Sequence, residues 1–306
     1  MDSTIPSTWQ SLPRHLKIRI AKLLDVKSRA SLSSCSKSDH DYLLEVSFSI
    51  ELFSFDRIRL SYGHVNFSVQ LNDKVFKHRL PYDTAILSFS KILKHPESRT
   101  QDLRFNMGPE NDRFYSMLSA DLESNGQKIP ADKLRFNGDF LSSQGSLVLK
   151  LLGLMDSEVL KSLHFDAISS EKFLEKLKKM EHWKSLEEVV MSVEKLGNLN
   201  IKSFFHFDRL SLMEFKGLDD EKKVKMVENF KTRNPPVNSF FMISKESALP
   251  FHLCDSVLKT EEFELQNPEF KLQVEYLENG IQGIVVNIQS GNGVSFHDLI
   301  LKLHSF

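Results

Sequence analysis

Six short apolar strings recur along this chain: DLRFNM (102–107), KLRFNG (133–138), LKSLHF (160–165), LEEVVM (186–191), FDRLSL (207–212) and VNSFFM (237–242). Their starts lie 31, 27, 26, 21 and 30 residues apart, and stretches with helical period, such as SSEKFLEKLKKMEHW, fall between them. Strand, helix, strand at this spacing is the arrangement of a crossover, which joins strands that run parallel. The chain is therefore read as α/β. The recurrence predicts an irregular leucine-rich-repeat-like solenoid, with strands stacked in parallel and helices covering the other side. A compact α/β sheet satisfies the same pattern.

The flanks read differently. From Ile50 to Leu80 apolar and polar residues alternate, as in His64-Val65-Asn66-Phe67-Ser68-Val69-Gln70-Leu71, which predicts strands with turns at Gly63 and Asn72-Asp73. Near the other end, Phe270 to Tyr276 and Gly283 to Ile288 read as strands joined at Asn279-Gly280, and Val294 to Leu303 as a short last helix. The expected organisation is a helical segment over 8–48, a β-rich connector over 49–84 and a larger domain over 85–306. Residues from about 250 onward are expected to form a β cap that covers the last strand.

Residues 9–46, WQSLPRHLKIRIAKLLDVKSRASLSSCSKSDHDYLLEV, imply three short helices. Pro13 suits a first helical turn, and Leu12, Leu16, Ile20 and Leu24 recur every four residues as one apolar stripe. Ile18 and Leu23 are assigned to a second face. Ser28 is expected to cap a second helix carrying Ala30 and Leu32, and Ser38 with Asp41 to form a capping box before the third. A unit of roughly 40 residues cannot bury enough surface alone, so one face is expected to dock on a partner or on the remainder of the chain.

The string Leu12-Pro13, Leu16, Ile20, Leu24-Asp25, Ser28-Arg29, Leu32, Cys35-Ser36-Lys37 resembles an F-box. In that family the Leu-Pro opening and the helices after it insert into the Skp-type adaptor of an SCF (cullin-RING) ubiquitin ligase. The resemblance implies that Leu12, Pro13, Leu16, Ile20, Leu24 and Leu32 contact the adaptor, and through it a cullin. Four further phrases resemble, in order, the FTH domain found beside F-boxes in a nematode protein family: KILKHPESRTQDL (91–103), DSEVLKSLHF (156–165), MEHWKSLEEVVM (180–191) and FFHFDRLSL (204–212). What the pairing implies is a non-catalytic receptor that captures a protein target for ubiquitination. The alternative is a binding scaffold whose N-terminal helices pack internally and never meet a ligase.

The residues offer little other chemistry. Lys and Arg total 40 against 41 Asp and Glu, so no overall field draws the chain to nucleic acid or anionic lipid. Lys172, Lys176, Lys178 and Lys179 are interleaved with Glu171, Glu175 and Glu181, as on a solvated helix face. Two cysteines, Cys35 and Cys254, make neither a disulfide framework nor a zinc site, and Cys35 is expected to pack inside the helical segment. His164, His206 and His252 sit in apolar strings and are read as satisfied core residues. Trp183 and the phenylalanines of FFHF are read as core of helix and strand, and Gly291-Asn292-Gly293-Val294 as a turn too short for a dinucleotide fingerprint. No cofactor, metal or membrane partner is implied. The N-terminal stretch lacks the charged and apolar regions of a signal peptide, so an intracellular location, cytoplasmic or nuclear, is expected.

Overall fold

The computed structural model describes residues 9–24, 26–33, 35–43, 49–56, 63–71, 74–93, 98–138, 144–168, 170–194, 196, 199–246 and 257–288. The expected turn at Asn72-Asp73, the last helix, His252, Cys254 and the Gly291-to-Val294 turn lie outside them. Two compact units divide the chain. The first takes Met1–Asn106, Glu110–Lys133 and Leu154–Val159, and the second takes Met107–Pro109, Leu134–Gly153 and Leu160–Phe306.

The first unit opens with a 3₁₀ turn at Trp9–Ser11 and three short helices, α1 (Arg14–Leu23), α2 (Val26–Ser33) and α3 (Lys37–Leu43). Strands β1 (Ser49–Asp56), β2 (His64–Leu71) and β3 (Lys74–Pro81) follow, then α4 (Tyr82–Leu93), β4 (Arg99–Asn106) and α5 (Asp112–Ser124). Its strands lie in the order β4-β1-β2-β3. β1 runs parallel to β4 and antiparallel to β2, and β2 antiparallel to β3. Register sorts the two faces. Leu103, Phe53 and Val69 align, as do Phe105, Phe55 and Phe67, and alternation sends all six to one side. There Phe53 and Phe55 meet Phe89 of α4 edge-on, and Phe55 meets Phe114 of α5, with centroids 4.8 to 5.2 Å apart. Each such ring pair contributes roughly 0.5–1.5 kcal/mol beyond its burial. The opposite face carries Arg104, Ser54, Ser68 and Lys77 in one register row.

The second unit contains most of β5 (Ala131–Asn137), then α6 (Gly145–Gly153), β6 (Ser162–Phe165), α7 (Glu171–Leu177), α8 (Glu181–Ser185) and β7 (Glu188–Ser192). After a 3₁₀ turn at Ile201–Phe204 come β8 (Arg209–Met213), α9 (Asp220–Arg233), β9 (Phe240–Ser244), β10 (Val257–Glu264), β11 (Phe270–Leu277) and β12 (Gly280–Asn287). The order is β10-β11-β12-β9-β8-β7-β6-β5. Strands β6 to β9 pair in parallel, while β9, β12, β11 and β10 pair antiparallel. All six apolar strings fall on strands, β4 to β9. The four beginning near Leu163, Val189, Leu210 and Phe240 are consecutive parallel neighbours.

Several local expectations need correction. α2 starts at Val26, which puts Ser28 inside the first turn instead of at the cap. The string SSEKFLEKLKKMEHW is two helices, because Met180 is extended (φ -71°, ψ 145°). That break turns Trp183 toward Phe204 and Phe207, at 5.6 and 4.9 Å. FFHF lies in and just after the 3₁₀ turn instead of in a strand. The β11–β12 loop consists of Glu278 and Asn279, with Gly280 already paired in β12. Gly280 is needed there for another reason: a Cβ would lie 2.5 Å from the Ile243 carbonyl oxygen of β9.

Candidate functional site

The three N-terminal helices surround a small cluster in which Ile18 and Leu32 pack against Ala21 and Leu43. That inward set fixes which side of α1 faces out. At 3.6 residues per turn, positions 16, 20 and 23 fall within about 60° of one another. Leu16 and Ile20 are 36% and 38% exposed, and Leu23 is 84% exposed. Leu23 therefore belongs with Leu16 and Ile20, while Ile18 alone of the expected second face points inward. Leu12 and Leu24 are half-buried at the two ends, and Pro13 is exposed as the residue that precedes the helix. Leu32 is brought to the inner cluster, away from the exposed row.

Polar contacts hold this face in position. Ser36 caps α3: the Asp39 amide donates to its hydroxyl at 3.0 Å, and that hydroxyl donates to the Asp39 carboxylate at 2.7 Å. The box is thus Ser36 with Asp39, two residues before the expected pair. The Trp9 indole N–H donates to the same carboxylate at 2.6 Å, tying the opening 3₁₀ turn to α3. The Trp9 bond, then the Ser36 bond and the Lys17 charge hold the Asp39 carboxyl below its ordinary value, against the opposing effect of burial. Arg29 of α2 donates to the carbonyls of Leu24 and Lys22, both at 3.0 Å, so a cation closes the C-terminal end of α1. Cys35 is exposed, contrary to expectation, and its thiol reaches the Ser31 carbonyl at 3.2 Å. Trp9 and Asp39 were not singled out from the sequence, and Arg29 stood only within the string that resembles an F-box. A Ser-x-x-Asp spacing at 36–39 was the available signal for the last.

The second unit holds a polar cluster on one face of its parallel strands. Ser162, Glu188 and Arg209 are register neighbours on β6, β7 and β8. Ser162 donates to Glu188 at 2.9 Å, the His164 Nε2 lies 2.7 Å from the same oxygen, and Arg209 Nε lies 2.9 Å from the other. The carboxylate is the centre of this cluster, and the serine donates to it, so the arrangement is an ion and hydrogen-bond network across three strands. His206 is exposed instead of buried. Its ring lies against Phe207, 3.8 Å between centroids, and its Nε2 meets the Trp183 carbonyl at 2.9 Å. Partial desolvation of the ring where it lies against Phe207 and Trp183, with the Arg233 charge added, holds its pKa below the ordinary value, and the bond to the Trp183 carbonyl partly opposes that. Among the described residues no group of three His, Cys, Asp or Glu could hold a metal ion, and no helix is long and apolar enough to cross a membrane.

Two protein-family models match this chain. The F-box domain model matches residues 9–50, which takes in α1 to α3 with the Leu16–Ile20–Leu23 row, and the FTH domain model matches residues 112–250. Together they cover more than half of the 306 residues. This is an F-box plus FTH-domain protein. No curated protein and no solved structure matches it.

Proposed function

We propose that the protein is the substrate-recognition subunit of an SCF-type ubiquitin ligase. In this reading Leu12, Pro13, Leu16, Ile20 and Leu24, with Leu23 added, dock on a Skp-type adaptor and through it a cullin. Leu32 contributes by holding α2 against α1. The repeat-like α/β remainder holds a protein target, and chemistry belongs to other subunits. The protein then acts by proximity, raising the effective concentration of a target lysine beside the charged conjugating enzyme. A cytoplasmic or nuclear location accompanies that role.

One observation carries the reading: a row of apolar side chains, Leu16, Ile20 and Leu23, stands exposed on a helix of the matched F-box. Apolar anchors aligned on one helix face are what a groove on a partner receives. Affinity purification of the full chain with the proteasome inhibited tests it. A Skp-type adaptor and a cullin should co-purify with the intact chain and not with Leu16→Asp. Their absence from the intact chain's complexes would remove the ligase reading and leave a scaffold.

A further inference from the structure

We infer that the free edge of β3 is a strand-addition site for an extended, acidic segment of a partner protein. The inference deepens the receptor reading, on which only its meaning as a cargo site rests. It concerns residues 74–81, which lie outside both matched segments.

β3 ends the strand order of its unit, so among the described residues the backbone N–H and C=O groups on its outer side have no strand partner. Val75 is 51% exposed, and Lys77, His78 and Arg79 are exposed with it. Alternation places Val75, Lys77 and Arg79 on one face, with successive side chains about 7 Å apart. An added strand repeats that spacing, so alternate carboxylates on it would stand opposite Lys77 and Arg79, within roughly 5 Å. Among the described residues neither cation is paired with a carboxylate. Beside them, Ser68 is 4% exposed, pairs in register with Lys77, and its hydroxyl has no hydrogen-bond partner among the described residues.

The contrast with β10, the other terminal strand, separates this from ordinary edge protection. β10 is exposed too, but it carries charge of both signs and part of it is paired locally: Lys259 with Glu261, and Glu262 with Lys271 of β11 at 2.8 Å. A charged edge can also exist simply to prevent aggregation. Such an edge needs charge of either sign and selects no ligand. The β3 edge carries positive charge alone, next to an exposed valine, which favours an acidic strand.

The test uses the full chain and three fluorescein-labelled ten-residue peptides: alternating Val and Glu, alternating Val and Lys, and alternating Pro and Glu. The Val/Glu peptide should bind at least tenfold more tightly than the other two, because the second has the wrong charge and the third has too few backbone donors. Lys77→Glu with Arg79→Glu should weaken it at least tenfold, and Lys77→Gln with Arg79→Gln by less. Hydrogen exchange should slow in β3 on binding. Leu16→Asp should leave this binding unchanged, so loss of the ligase reading and loss of this one are seen separately. Equal binding of the Val/Lys peptide, no effect of charge reversal, protection confined to other strands, or no binding at millimolar peptide would overturn the inference.

Discussion

Helix α1 and strands β6 to β9 are both short and rich in apolar residues, yet they place those residues oppositely. On α1, Leu16, Ile20 and Leu23 stand in solvent above a cluster as small as Ala21, Leu43, Ile18 and Leu32. In β7 and β9 every residue is buried, and Leu163, Val189, Leu210 and Phe241 form a register row with no exposure. A strand flanked by paired neighbours meets its needs within the chain. A helix in a segment of about 40 residues cannot, and its surplus apolar surface is complete only against a partner.

The same substitution made in both places tests that contrast most sharply. Leu210→Asp puts an unpaired carboxylate at a fully buried position and should cost more than about 4 kcal/mol, leaving the chain insoluble or unfolded. Leu16→Asp and Ile20→Asp should change stability by no more than about 0.5 kcal/mol, yet reduce adaptor co-purification at least a hundredfold. Thermal melts of the three variants decide the matter. If Leu16→Asp melts as low as Leu210→Asp, α1 is part of an internal core and the contrast fails. A chain beginning at Ser49, where β1 starts, sharpens it: we expect native near-ultraviolet circular dichroism and no adaptor binding. A molten spectrum would give the N-terminal helices a share in the core.

A middle-sized effect belongs to the polar network of the strands. Glu188→Ala leaves Ser162 and His164 without their common hydrogen-bond partner and Arg209 without its ion-pair partner. Breaking a buried pair typically costs 3–5 kcal/mol, but the Arg209 side chain is 36% exposed and recovers solvation, so about 2–3 kcal/mol is expected in urea denaturation. A loss below about 0.5 kcal/mol would mean that the cluster contributes no net stability, as exposed pairs often do not.

Much of the strand framework was legible because each of the six apolar strings carries its own local pattern, and each lands on a strand. What was not legible depends on distant contacts. Glu and Lys continue in helical register through 171–185, so nothing local marks the break at Met180, which serves the burial of Trp183. Ser36 and Ser38 each have an aspartate three residues on, and the choice between them is made by Trp9, 30 residues away. The outward side of α1 depends on where α3 packs, which is why Leu23 was placed on the wrong face. Alternation in 64–80 predicts strands but cannot say which is outermost, and the β3 edge could not be read from it.

The smallest expected effects are titrations, and they compare the same two regions through their tryptophans. The chain has two: Trp9, whose indole donates to Asp39, and Trp183, whose ring centroid lies 6.0 Å from that of His206. Asp39 is held below its ordinary value of 3.8, first by the Trp9 bond and then by Ser36. A depressed carboxylate adds stability that is full above the unfolded value and is lost as pH falls through the folded one. His206 is held below 6.5, first by partial desolvation of its ring, so its unfolded form takes up a proton before its folded form does. Its contribution is likewise intact above 6.5 and is lost as pH falls through the lower folded value. The two indole N–H resonances, assigned by Trp9→Phe, should therefore move in separate windows. That of Trp183 should shift somewhere below pH 6.5 and cease to do so in His206→Asn, while that of Trp9 should hold until pH falls below 3.8 and lose its transition in Asp39→Asn. A Trp9 resonance that titrates above pH 4 would mean that the indole does not hold Asp39, and that the clamp positioning α1's exposed face lies elsewhere.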